Sequence, residues 1–445
     1  MEKERHVKSP AGNDFRVMLL SAAIGSVVGI IFWLFLFALH KGIWVIWELL
    51  PEKVFRFSLY PLAACTVGGL IVGLFRKRFG DYPEDMMTVF GKLKKNKTYP
   101  YRKLAVISVA ALLPLIFGSS VGPEAGMVGV VVSLCCWAGE NLSFAAQKSA
   151  DYSRVGAAVS LSVLFRSPLF GILDVEDGLE TDAPEQDAGN TGRLKKIIVY
   201  CVATGAGFGC FALMNRIFGK LSEGFPSFDT VSAEAWDYPL AILYLALGIL
   251  LGLFFEITEK LLGRLSQTLP PVLRETVCGL LLGAAAVALP VIRFSGEEQM
   301  AVLITDFAKY TPLAMIGIAF LKVLITNLCI RFGMKGGHFF PLIFAAVCLG
   351  YGVSLLIFPG NGSHAVFAAA IVVAGTLGVT LKKPLAVSVL MLLCFPVKAL
   401  IFIVPAAALA VLAGKAVEGG RTGKKPRTGS TETISQGRSS ADKSL

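Results

Sequence analysis

The chain has little charge and few of the residues that do covalent chemistry. Only 16% of its 445 residues are Asp, Glu, Lys or Arg, and four are histidines. His6, His40, His338 and His364 share no metal-ligand spacing. Nine cysteines form no CxxC pair, and Cys65, Cys135, Cys136, Cys201 and Cys278 fall mostly in apolar runs. A disulfide framework, a zinc site or a cofactor is therefore not expected, and small hydrophobic core cysteines are. No cleavable signal is expected either: residues 1–16 are polar, and the apolar run behind them is too long for a signal core. Acidic residues are the minority, 31 against 42 Lys and Arg. The basic ones lie in tails and loops, as the positive-inside rule places them, which argues against nucleic-acid binding.

What remains is apolar. The hydrophobic fraction is 55% and the mean hydropathy is +0.67, which predicts an all-α polytopic membrane protein. Forty-six glycines suit tight helix packing and broken helices in lipid. Apolar segments in the first half cover 17–39, 59–74, 104–117, 127–137, 155–175 and 197–218, and another at 239–255 follows the linker. Those in the second half cover 275–292, 315–330, 339–357, 365–380 and 385–412. Several fall short of the ~20 residues a spanning helix needs, which points to half-helices meeting inside the bilayer. The expected organisation is a cytoplasmic tail at 1–16, a membrane half at 17–218 and an external linker at 219–237. A second membrane half at 238–413 and a disordered cytoplasmic tail at 414–445 complete it. Between the spans, 41–57 reads as a mixed loop, 76–103 as a basic cytoplasmic loop and 256–274 as an inner loop.

Glu124 is the only ionisable residue in 112–137. A carboxylate at that depth costs roughly 2.5–3.5 kcal/mol by insertion scales. It stands in Gly122-Pro123-Glu124-Ala125-Gly126, where Gly and Pro interrupt one helix and an apolar run starts another. A helix N-terminus inside a membrane presents free N–H groups and a partial positive charge, an anion site for which the carboxylate competes. The same grammar recurs. Gly336-Gly337-His338-Phe339-Phe340-Pro341 opens a second apolar helix. Arg166-Ser167-Pro168-Leu169 follows the first break and Lys382-Lys383-Pro384-Leu385 the second, each at about 45 residues. Two halves with matching interrupted helices point to a midplane site, whether the halves are inverted or parallel.

These residues resemble the CLC family of chloride channels and proton/chloride antiporters. Its G-[KR]-E-G-P signature is met at Gly122 and Glu124, and its G-G-x-F-x-P signature at Gly336, Gly337, Phe339 and Pro341. Pro168 and Pro384 match the ends of the family's paired helices, and the resemblance spans about residues 17–412. It implies a homodimer with a pore in each subunit, built from inverted halves whose helix N-termini converge on chloride. It also implies that Glu124 is the gating glutamate and that backbone N–H groups near Ala125, Phe339 and Phe340 cradle the anion.

The departures are specific. The family's G-S-G-I-P stretch falls at Phe79-Gly80-Asp81-Tyr82-Pro83, with Gly80 in place of the serine that reaches the central anion. The tyrosine late in the last helix has no counterpart after Pro405. The inner proton glutamate falls at Gly178, leaving Asp177 and Glu176 as the candidate inner proton site and predicting poor proton coupling. A fluoride-exporting relative is therefore the alternative within transport. A membrane-embedded enzyme would need a nucleophile–base pair or metal cluster near Glu124, and none is seen. A degenerate, non-transporting member is a third reading. His338 reads as a pore-facing pH sensor or an incidental helix-opening residue, and Lys322 as a pore-field or snorkelling lysine.

Overall fold

Gly and Pro breaks in the apolar pattern set where the helices stop. The computed structural model describes residues 11–422, except most of 142–189, parts of 85–100 and 220–232, and positions 55–56 and 393. Its helices are α1 (Ala11–Trp44), α2 (Leu50–Lys53), α3 (Tyr60–Phe79), α4 (Leu104–Ile116), α5 (Glu124–Asn141) and α6 (Asn190–Phe218). There follow α7 (Asp237–Ser266), α8 (Leu273–Ala288), α9 (Glu297–Thr305), α10 (Pro312–Arg331) and α11 (Phe339–Ile357). The chain then forms α12 (Ser363–Leu381), α13 (Pro384–Met391) and α14 (Leu400–Thr422). Among the described residues there is no strand, only one bridge between Gly122 and Gly337. Seven helical segments are long and apolar enough to cross a membrane, while α4 and the start of α5 are shorter apolar helices.

Lipid gives helices no hydrophobic reason to associate, so van der Waals packing through small residues has to hold them. The chain does this with glycine. A Cβ added at Gly25 on α1 would lie 1.9 Å from the Ala203 carbonyl oxygen of α6. One added at Gly279 on α8 would lie 2.1 Å from the Cys65 carbonyl oxygen of α3. Backbones that close tolerate no side chain. α11 and α12 are the innermost spans, each 83% buried over its apolar window. α7 lies at the rim with 28% of its window buried, turning Ile242, Leu250 and Leu261 outward.

Several boundaries differ from the sequence expectation. The region 41–57 is not a loop throughout: α1 continues to Trp44, and a π-turn at Val45–Leu49 carries it into α2. The inner loop expected from 256 begins later, because α7 runs to Ser266 with Glu256 packed inside against Lys382 at 3.5 Å. α14 crosses the expected boundary at 413/414 and ends at Thr422, where Glu418 pairs with Lys382. Polar composition hid these extensions, because helix sides that carry ion pairs look like loops to hydropathy. Lys322 does not snorkel. It is fully buried, and its ammonium donates to the carbonyls of Ile292, Arg293 and Phe294 at 2.9, 3.3 and 2.7 Å. It caps the end of the short 3-10 turn Pro290–Ile292.

Candidate anion site

The two helix breaks of the repeat meet. The Gly122 N–H donates to the Gly337 carbonyl at 2.8 Å, and the Gly337 N–H returns the bond to Gly122 at 2.7 Å. This two-bond bridge sets the start of α5 beside the start of α11. Side-chain bonds lace the same loops together. Ser119 Oγ donates to the Met334 carbonyl at 3.1 Å, and Ser120 Oγ lies 3.2 Å from Thr326 Oγ1.

Glu124 is the first residue of α5 and only 2% exposed. Its Oε1 accepts the Phe339 backbone N–H at 2.9 Å, so the carboxylate sits on the N-terminus of α11. The backbone amides of Phe340 and of Glu124 itself also face it. Oε2 is buried without a hydrogen bond of good geometry. The carboxylate is thus held by peptide dipoles rather than by a basic side chain, as an anion bound at a helix N-terminus is held.

The glycines are there for closeness. A Cβ on Gly337 would lie 1.8 Å from the Glu124 carboxyl carbon, and one on Gly122 2.0 Å from Oε2. One on Gly336 would strike Val121 at 2.3 Å, and one on Gly126 would strike Ala111 at 2.4 Å. Pro123 opens the turn, its carbonyl accepting the Met127 N–H at 3.0 Å, and Ala125 is buried beside it. Phe339, Phe340 and Pro341 are buried at the head of α11. His338 is the residue before that helix, half-buried, its ring 5.2 Å from Phe255 and 4.6 Å from Phe339 between centroids.

Gly80 reaches this neighbourhood through its successor. It ends α3 at φ 107°, a left-handed conformation that excludes most side chains, which accounts for glycine in the serine position. Asp81 pairs with Lys335 at 2.9 Å, one residue before Gly336. Asp177, Glu176 and the Arg166–Leu169 repeat segment lie outside the described residues. The sequence reading missed the Gly122–Gly337 bridge and the Asp81–Lys335 link. Its one signal for the bridge was the glycine break that occurs twice at matched places.

Residues 68–417 match the voltage gated chloride channel family model. The putative ion-transport protein YfeO of Escherichia coli O7:K1 is 26% identical over 259 residues, covering 56% of this chain and 58% of YfeO. The chain thus spans under two thirds of that relative's length. The voltage-gated ClC-type chloride channel ClcB of Escherichia coli SMS-3-5 is 25% identical over 307 residues, 65% of this chain and 68% of ClcB. Among solved structures, a slow cyanobacterial Cl-/H+ antiporter superposes with TM-score 0.72 at 16% identity, covering 92% of this chain and 98% of that one. A CLC-type fluoride/proton antiporter superposes with TM-score 0.68 at 17% identity and the same coverage. With the family model matching well over half of its length and the superposition covering 92% of it, the chain belongs to the voltage-gated chloride channel, or CLC, family.

Proposed function

We propose that the protein carries chloride across the cytoplasmic membrane, through a pathway in each subunit of a homodimer with both termini cytoplasmic, and that Glu124 gates it. The observation that supports this reading most is the carboxylate seated on the Phe339 N–H at the junction of two helix N-termini. In that seat an ionised Glu124 holds the place of a permeant anion. Protonation removes its charge and weakens its bond to the amide, so the side chain yields to chloride. Selectivity then rests on backbone N–H groups and helix dipoles. The process needs no covalent chemistry.

Fluoride is the second reading. It is favoured by Gly80, which offers no hydroxyl, and by the absence of tyrosine from Leu400–Thr422. Losing one charge-assisted hydrogen bond forfeits about 1.5–3 kcal/mol, so chloride binding is expected to be loose. The test is anion efflux from liposomes holding the purified protein, with separate chloride and fluoride arms and pH followed at the same time. Chloride flux without proton movement supports a channel, and concerted proton uptake supports exchange. Fluoride flux well above chloride flux replaces the first reading by the second. No flux of either anion overturns both.

A further inference from the structure

An acidic residue from a third helix reaches the deep carboxylate. Ser295-Gly296-Glu297-Glu298 opens α9, and the turn before it is fixed from three sides. The Phe294 N–H donates to the Gly118 carbonyl at 3.3 Å, which ties the turn to the loop leading into Gly122 and Glu124. Lys322 binds the carbonyls of Ile292, Arg293 and Phe294 from α10. Gly296 holds φ 94°, and a Cβ there would lie 2.8 Å from Phe344 Cβ on α11. Phe344 stands about one turn beyond Phe340, whose amide faces the Glu124 carboxylate. The start of α9 is thus packed against the first turns of the helix on which Glu124 is seated.

Glu297 is the first residue of α9 and half-buried. It comes close enough to Glu124 for the two negative charges to act on each other, and it faces the Cys394 thiol as well. The cations of the same turn are committed elsewhere. The Lys322 ammonium serves its three carbonyls, and the Arg293 guanidinium lies over the Trp47 ring, 4.3 Å from its centroid. Glu298, next along, is exposed. An acid in the first turn of any helix is favoured by the helix dipole. That accounts for Glu297 and Glu298 alike, and it gives no reason to bring one of them toward a buried carboxylate. Like charges held near each other raise the cost of ionising both.

We propose that Glu297 is the electrostatic partner of the gate: its charge sets the pH at which Glu124 gives up its seat to the anion. The proposal rests on the gating reading of Glu124 and adds a side chain, on a different helix, that decides when the gate yields. Anion flux against pH in proteoliposomes is measured for wild type, Glu297→Gln, Glu297→Asp and Glu298→Gln, the last a control that shares the helix-start position. Without the Glu297 charge, Glu124 should ionise more readily. The midpoint of the rise in flux should therefore move down by about 0.5–1 in pH in Glu297→Gln. Glu297→Asp should stay near wild type, and Glu298→Gln should move the midpoint by less than about 0.2. In a Glu124→Gln background, Glu297→Gln should have no pH effect left to exert. A midpoint unmoved in Glu297→Gln, or moved as far in Glu298→Gln, overturns the proposal and leaves Glu124 as the gate. A wild-type profile without pH dependence overturns the gating reading instead. The pairing is then read without transport, by infrared titration of the protonated-carboxyl band that Glu124→Gln abolishes. A lower midpoint for that band in Glu297→Gln supports the pairing, and an unchanged one sinks it whatever the flux does.

Discussion

Two carboxylates in this protein are held in opposite ways. Glu124 is buried and bound by peptide N–H groups at the head of α11. Asp81 is mostly exposed and bound by the full charges of Arg76 and Lys335. The difference follows from depth. Helix termini supply partial positive charge from groups already in place, without burying a further full charge beside the carboxylate. At Asp81, 65% exposed, solvent is close enough to screen the pairing. A tethered anion held by dipoles is set by geometry, and one held by ions is set by charge balance.

The largest expected effect tests the dipole-held carboxylate. Glu124→Gln removes its charge at nearly constant shape, and Glu124→Ala removes the side chain. Wild-type flux should rise as pH falls, because protonation neutralises the competing anion. Both variants should lose that dependence, with flux at neutral pH raised roughly tenfold, equivalent to about 1.4 kcal/mol of released competition. Flux assays from about pH 4 to about pH 8 on all three proteins decide it. Superimposable pH profiles would make Glu124 a structural carboxylate.

A smaller but sharper effect concerns the geometry of that seat. A methyl on Gly337 would overlap the Glu124 carboxyl group at 1.8 Å, so Gly337→Ala should destabilise by about 1–3 kcal/mol through overpacking. Glu124→Ala should relieve most of that cost in the double variant, since it deletes the group struck. Thermal melting of the two single variants and the double variant measures the coupling. Additive losses would mean that Gly337 is needed for the Gly122 bridge alone and not for the carboxylate.

How much of this was legible in the sequence also differs between the two regions. The deep site announced itself: a lone Glu beside a Gly-Pro break, and a second glycine break at the matching place, are patterns along the chain. Their meeting through Gly122 and Gly337 is a contact 215 residues apart for Glu124 and Phe339, and no periodicity encodes it. The Asp81 region was read as a basic topology signal in 76–103 and, through Gly80, as the counterpart of the family's serine stretch. Arg76 and Asp81 are neighbours in sequence, but Glu275 arrives from α8 and Lys335 from the turn between α10 and α11, and opposite charges in polar loops are too common to single out. The helix overruns at Ser266 and Thr422 were missed for a related reason: Glu256 and Glu418 both pair with Lys382 and dilute the apolar signal.

The smallest expected effect tests the ion-held carboxylate by stability and not by flux. Burial works to raise the Asp81 pKa, but Lys335 and Arg76 outweigh it and hold the carboxyl below its usual range. A group depressed in the folded state stabilises above its unfolded value, about 3.9 for Asp, and that contribution fades as pH falls through the lower folded value. Asp81 is 65% exposed, so solvent screening keeps its contribution within about 1 kcal/mol. Asp81→Asn should therefore melt slightly below wild type at neutral pH, and the two curves should converge in acid below about pH 3. Added salt should narrow the gap at neutral pH, because an exposed pair is screened. The buried Glu124–Phe339 contact should show no such salt response when Glu124→Gln is melted in parallel. A gap at Asp81 that persists in acid and in high salt would mean that the loop needs its shape and not its charge, and the contrast between the two carboxylates would then fail.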